Sequence, residues 1–143
     1  MTDASSPPDT LYEEMGLVRV VEMDPAGRAK LEYRATLAQS HSGGVVQGGF
    51  VTGWIDAAMA HAILAIPGLD VVPMTLEIKV SFFAPTRPGL VVAEAWVVQA
   101  GRRTAFVEGS LSDGAGVLLA KASSTMTLAS RAKVEAASRA AFA

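Results

Sequence analysis

Two hydrophobic periods alternate along this chain. Residues 17–22 (LVRVVE) and 27–35 (GRAKLEYRA) follow the period of two expected of half-buried strands. Asp24-Pro25-Ala26-Gly27 between them predicts a turn, because proline fixes φ and glycine accepts positive φ. The pair predicts a hairpin. Residues 36–47 lose the period and run into HSGGVVQGG, which reads as a loop. From Gly49 to about Ile66 the pattern turns helical. Phe50, Trp54, Ala57, Ala58 and His61 form one stripe, and Val51, Ile55, Met59, Ala62 and Ile66 the next. A helix this apolar needs cover on most sides. Pro67-Gly68 stops it.

The rest predicts strands. In 72–83 (VPMTLEIKVSFF), Met74, Leu76, Ile78, Val80 and Phe82 fall on one face, and Thr75, Glu77, Lys79 and Ser81 on the other. Segments 90–99, 103–112 and 117–128 follow, with turns at Thr86–Gly89, Gly101 and Asp113–Gly116. Short connections predict that these four strands pair in sequence as an antiparallel meander. The Ala-rich stretch 130–142 predicts a loose amphipathic helix or a tail. About six strands and one apolar helix predict an α+β fold, with an antiparallel sheet curved round a long buried helix. A single sheet covers one side of that helix, and a second copy of the chain is expected to cover the other.

Composition narrows the function classes. The chain has 143 residues, half of them apolar, enough for one domain with its own core. Residues 1–14 read as a flexible lead-in, 15–129 as the domain and 130–143 as a tail or short helix. A net charge of −2 gives no general attraction to nucleic acid or anionic membranes. The absence of cysteine excludes a thiol nucleophile and thiolate metal sites, and fits a reducing, cytoplasmic setting. No basic patch followed by an apolar run marks a signal peptide, and Asp56, His61 and Pro67 make 50–69 a poor membrane span.

Asp56 is the strongest chemical signal. It is the only charged residue between Gly48 and Leu69, with no cation three or four positions away. A carboxylate in such surroundings is costly unless hydrogen-bonded, so it is expected to have a role. Gln47-Gly48-Gly49 opens the same helix. Unpaired amides, the positive end of the helix dipole and residues without side chains predict an oxyanion hole there. Gly48 and Asp56 are eight residues apart, about 12 Å along a helix, too far for both to touch one carbonyl. Two such helices related by a two-fold axis would bring Gly48 of one chain to Asp56 of the other. Shared sites in a homodimer are therefore expected. His41 is a candidate to polarise a carbonyl or position water, and the hydroxyl of Thr75 to hold water or the carboxylate. His61 lies about 140° round the helix from Asp56 and reads as a core or interface residue. Two histidines without matching carboxylates predict no metal site. Arg102 and Arg103, with Lys79, Arg87 and Lys121 expected nearby, are candidates to hold phosphates. Phe50, Trp54, Phe82 and Phe83 are candidates for an apolar pocket.

The run H-S-G-G-V-V-Q-G-G-F-V-T-G-W-I-D (41–56) resembles hotdog-fold thioesterases of the phenylacetate-pathway (PaaI-like) type, as do T-L-E-I-K-V-S-F-F-A-P (75–85) and G-R-R-T-A-F-V-E-G-S-L-S-D (101–113). The resemblance spans about residues 17–128. It implies hydrolysis of an acyl-coenzyme A to free acid and coenzyme A. Asp56 is the implied nucleophile or general base, Gly48 the backbone donor to the thioester carbonyl and Thr75 a helper that positions water. Gly44 is implied where the loop passes the acyl group, with Gln47 and Gly49 as further contacts. His41 stands where many members have Asn or Gln, and Gln47 where the family usually has His. No metal or redox cofactor is implied, coenzyme A being part of the substrate. The implied assembly is a dimer with one continuous sheet, often paired again into a tetramer. The alternatives are a hotdog protein that binds acyl-coenzyme A without turnover and, ranked lower, a hotdog dehydratase or hydratase.

Overall fold

The computed structural model describes residues 10–143. Its elements are α1 (Thr10–Met15), β1 (Leu17–Asp24), β2 (Arg28–Ala35), a 3₁₀ turn (Leu37–Gln39), β3 (Ser40–His41), β4 (Val45–Val46), α2 (Gly48–Leu64), β5 (Val71–Phe82), β6 (Gly89–Ala100), β7 (Thr104–Asp113), β8 (Leu118–Ser130) and α3 (Arg131–Ala141). Six strands form one antiparallel sheet in the order β1-β2-β6-β7-β8-β5, and β3 and β4 form a small ladder of their own. α2 packs against the face of this sheet, as expected of the hotdog fold.

The β1–β2 hairpin forms as its turn residues dictate. Gly27 N–H donates to the Asp24 carbonyl at 2.9 Å with φ +90°, and Asp24 Oδ1 accepts the Ala26 amide. α2 buries Val51, Trp54, Ile55, Ala58, Met59, Ala62 and Ile63 against the sheet. Each large side chain so buried contributes about 1.5–3 kcal/mol. The close seat depends on Gly109 of β7: a Cβ there would lie 2.8 Å from Ile55 Cγ2 and 2.9 Å from the Glu94 carbonyl.

The other flank of α2 is only half covered. Thr52, Gly53, Asp56, Ala57, Ala60 and His61 are half-buried there. α1 lies over part of it: the Met15 carbonyl accepts the Trp54 indole N–H at 2.8 Å, and Tyr12 meets His61 edge-on, centroids 5.5 Å apart. The flexible lead-in expected over 1–14 is therefore helical from Thr10, because its side chains find the open flank of α2; residues 1–9 of that stretch lie outside the described residues.

Two expectations are corrected. The last four strands do not pair in sequence order, since β5 pairs with β8 and β6 with β2. The segment after β5 does not fold back as a hairpin. Phe83 and Ala84 amides donate to the Leu119 carbonyl and Thr86 accepts the Val46 amide, so the chain crosses the end of the sheet instead. Second, the register of β5 slips between Thr75 and Glu77. This bulge at Leu76 reverses the alternation. Ile78 and Val80 beyond it pack on the core, and Thr75 before it also reaches α2. Ser124 of β8, 5% exposed, donates to the Glu77 carbonyl at 2.8 Å and so holds the bulge.

Candidate active site

The sequence candidates separate into two groups on one chain. The first sits where α2 begins. Gln47 is the N-cap, and its Oε1 accepts the Gly49 N–H at 2.7 Å. Only glycine leaves room for this, as a Cβ on residue 49 would fall 2.6 Å from that oxygen. Gly49, expected as a substrate contact, thus has its amide engaged by Gln47. Gly48 N–H is the first of the helix and has no acceptor within it. The positive end of the helix dipole adds to the pull of this amide on an anionic oxygen.

The loop that presents Gly48 is tightly held. Gly43 and Gly44, with φ +81° and +72°, turn the chain between β3 and β4, and the Gly44 amide donates to the His41 carbonyl. The Gln39 carbonyl accepts the Gln47 amide at 2.9 Å. Gln39 is 8% exposed, and its Oε1 accepts the Thr36 N–H. Sequence reasoning missed this residue, because nothing in the unpatterned stretch 36–47 marks one glutamine as buried. A cavity of about 420 Å³ adjoins Gly48, bounded by His41, Val46, Val51, Phe82 and Phe83 among others.

The second group lies two turns further along α2. Asp56 is half-buried and accepts the Thr75 hydroxyl at 2.5 Å through Oδ1. Thr75, expected on the polar face of its strand, is carried to the helix side by the bulge at Leu76. His61 points its Nδ1 at the Ala57 carbonyl, 2.7 Å away, and packs under Tyr12, in keeping with a structural role. Tyr33, fully buried, stacks on Trp54. Burial, and then the neighbouring Tyr12, push its phenol above the ordinary tyrosine range. Trp54 is therefore core rather than pocket wall, and Phe50 leans on it from the exposed side.

The expected basic cluster is dispersed. Arg102 and Arg103 are exposed in the β6–β7 turn, where the Arg103 carbonyl accepts the Leu128 amide. Arg87 donates to the Gly43 carbonyl at 3.0 Å, close to the first group instead. Lys121 lies over the Trp96 ring and lines a shallow hollow with Lys79, both on the outer face of the sheet. Strand alternation explains both: Lys79 lies between core-facing Ile78 and Val80, beyond the bulge that turns Thr75 the other way, and Ala120 and Ala122 beside Lys121 are buried.

Comparison with known proteins agrees with this architecture. A family model described as "Thioesterase superfamily" matches residues 43–120. A Saccharolobus solfataricus protein described as a candidate esterase is 32% identical over 101 residues, 69% of this chain; the match spans 65% of that relative's length. Two solved structures share the fold. One is a phenylacetic acid degradation-related protein of Ralstonia eutropha, at TM-score 0.77 and 30% identity, covering 87% of this chain and 93% of the other. The second is the phenylacetic acid degradation protein PaaI of Thermus thermophilus, a mutant, at TM-score 0.72 and 27% identity, covering 83% and 98%. No helix of the described residues is long and apolar enough to cross a membrane. The family match takes in the glycine corner, Asp56 and Thr75 alike, and the chain belongs to the thioesterase superfamily, with a hotdog fold of PaaI-like type.

Proposed function

We propose that this protein is an acyl-coenzyme A thioesterase whose sites are each built from two chains. One observation carries the reading: β5 touches both halves of the site. Its Thr75 holds Asp56, and its Phe82 lies against Gly48, with a ring carbon 3.2 Å from where a Gly48 Cβ would be. β5 is also an edge strand, paired only with β8. Its flank exposes Met74, Leu76, Phe82 and Phe83, an apolar edge that calls for a partner. Antiparallel pairing of β5 with its own copy, about a two-fold axis near Ile78 and Lys79, sets Thr75 beside the partner's Phe82. That pairing carries Asp56 of one chain toward Gly48 of the other, and the pair repeats on the far side of the axis.

The chemistry follows from these groups. The Gly48 amide, backed by the helix dipole, takes the negative charge that develops on the thioester oxygen. His41 lies on the same cavity and adds a donor to that side. Asp56, with one oxygen held by Thr75, keeps the other to take a proton from the water that attacks the thioester carbon, or to attack that carbon itself, expelling the thiolate and leaving an acyl-aspartyl anhydride that water then opens to the free acid. The leaving coenzyme A thiolate is a good leaving group and needs little more than this. Arg102 and Arg103 stand at the end of the sheet where β8 meets the first residues of β5, and are assigned to the coenzyme phosphates.

Thiol release from a panel of acyl-coenzyme A thioesters tests the reading. Wild type is expected to turn over, and Asp56→Asn to lose about a thousandfold in kcat with its fold intact. Binding without thiol release from any thioester makes the protein a carrier. Unchanged turnover in Asp56→Asn removes that carboxylate from the mechanism.

A further inference from the structure

Charged residues on the outer face of the sheet are arranged by strand pairing. Both ion pairs between strands join residues directly opposite one another, Arg19 with Glu32 and Lys30 with Glu94. Trp96 and Glu108 are opposite as well, and the indole N–H donates to the carboxylate at 3.0 Å. Edge strand β5 breaks this habit. Its Glu77 and Lys79 are exposed on that face, and the β8 residues opposite them are Thr125 and Ser123. Glu77 takes only the Thr125 hydroxyl, at 3.4 Å, and Lys79 has no ion pair among the described residues. Glu108, which borders the same hollow as Lys79, is held by Trp96 and also faces Lys121. The missing partners of Glu77 and Lys79 must come from whatever pairs with the free side of β5.

A second copy of β5 supplies both partners in one register. Residues directly opposite in an antiparallel pair share a face, so a two-fold axis passes through a residue of β5 and not between two. Centred on Glu77, the axis sets glutamate against glutamate. Centred on Lys79, it sets lysine against lysine and leaves Glu77 facing a serine. Centred on Ile78, it sets Glu77 against the partner's Lys79 and, by symmetry, Lys79 against the partner's Glu77. Opposite charges at this spacing attract and like charges repel. Half-buried Ile78, which packs on the core, then meets its own copy on the inner side. We infer that Glu77 and Lys79 key the dimer: two reciprocal ion pairs fix the axis on Ile78 and so position Asp56 against the partner's Gly48. The inference rests on the two-chain site proposed above and adds what sets its register. Moving the axis by one residue slides the partner by two, about 7 Å along the strand, and parts those two groups. Glu77 and Lys79 are thus positioning residues that act from the opposite face of the sheet, and they select as partner a chain with the same order of charges.

Charge exchange on the full chain tests this, read by sedimentation equilibrium and by thiol release from acyl-coenzyme A. Glu77→Lys gives a chain with cations at both positions, and Lys79→Glu one with anions at both. Each alone is expected to raise the dimer Kd about tenfold or more and to lose activity on dilution in step. Mixed, the two are expected to associate with each other at close to the wild-type Kd and to recover activity. The double variant Glu77→Lys/Lys79→Glu, its charges exchanged, is expected to dimerise with itself. Lys79→Gln should loosen the dimer about threefold. An unchanged Kd in both single variants overturns the inference, and so does a mixture no tighter than its components. A tighter dimer from Lys79→Gln also overturns it, by placing lysine against lysine. In each of these cases an active wild-type dimer leaves the two-chain site standing. The expected charge behaviour without thiol release from any thioester upholds the register and removes the thioesterase reading. A wild type that stays monomeric overturns the register and the two-chain site together.

Discussion

Thr75 Oγ1 donates to Asp56 Oδ1 at 2.5 Å, joining the free edge of the sheet to the open flank of the central helix. The bond exists because the bulge at Leu76 turns Thr75 inward, and Ser124 holds that bulge by its bond to Glu77. The carboxylate is thereby aimed from both the helix and the strand that borders it.

Removing this hydroxyl should cost rate more than stability. A hydrogen bond to a charged group is worth about 1.5–3 kcal/mol. Thr75→Val is expected to lower kcat about 10- to 100-fold with little change in KM, and Thr75→Ser to restore most of the loss. Steady-state kinetics on both variants, with thermal melts as a control, check this.

The cap at the start of α2 gives a second test. Gln47→Ala removes the acceptor of the Gly49 amide, and Gly49→Ala places a Cβ 2.6 Å from the same oxygen. Each is expected to cost about 1 kcal/mol, the usual worth of an N-cap. The double variant should cost little more than either single one, because both break one bond. Chemical denaturation of the three variants reads this out.

The helix-to-sheet seat is unforgiving at Gly109. Gly109→Ala drives a methyl group into Ile55 and the Glu94 backbone, and the carbonyl cannot swing aside as a side chain would. A loss of about 2–3 kcal/mol is expected. Ile55→Ala removes the Cγ2 in the way, so Gly109→Ala combined with it should cost less than the two single changes added together, as read from denaturant midpoints.

Tyr33 offers a change in the opposite direction. Its hydroxyl is buried with no hydrogen-bond partner among the described residues. Tyr33→Phe keeps the stacking on Trp54 and removes the stranded group, so stability is expected to rise by about 1 kcal/mol. A melt of the variant decides this.

Much of this architecture was legible in the residues. The turn at Asp24–Gly27, the helix from the glycine corner to Pro67 and the lone acid within it each carry a local signal, and each stands close to where it was expected. Pairing order was not legible. Six residues between β5 and β6 suit a hairpin as well as a crossing, and the hydrogen bonds to Leu119 and Val46 that decide between them come from distant segments. The bulge was hidden too. Met74, Leu76, Ile78, Val80 and Phe82 alternate unbroken through it, so the sequence pattern carries no trace of the slip that moves Thr75 to the helix side. Nor does the sequence say which cations gather at one place: Lys79 and Lys121 share a hollow on the outer face, apart from Arg102 and Arg103.

Subunit complementation tests the shared site most directly. Gly48→Pro deletes the oxyanion donor at a helix position that accepts proline, and the extended Gln47 before it, at φ −63° and ψ 136°, suits a following proline. This variant and Asp56→Ala should each be inactive alone. A mixed dimer unites the sound Gly48 of one chain with the sound Asp56 of the other at one of its two sites. Co-refolded in equal amounts, the pair is expected to recover about one quarter of wild-type activity. Recovery of nothing from a population shown to contain mixed dimers would mean that each chain works alone, contradicting the account.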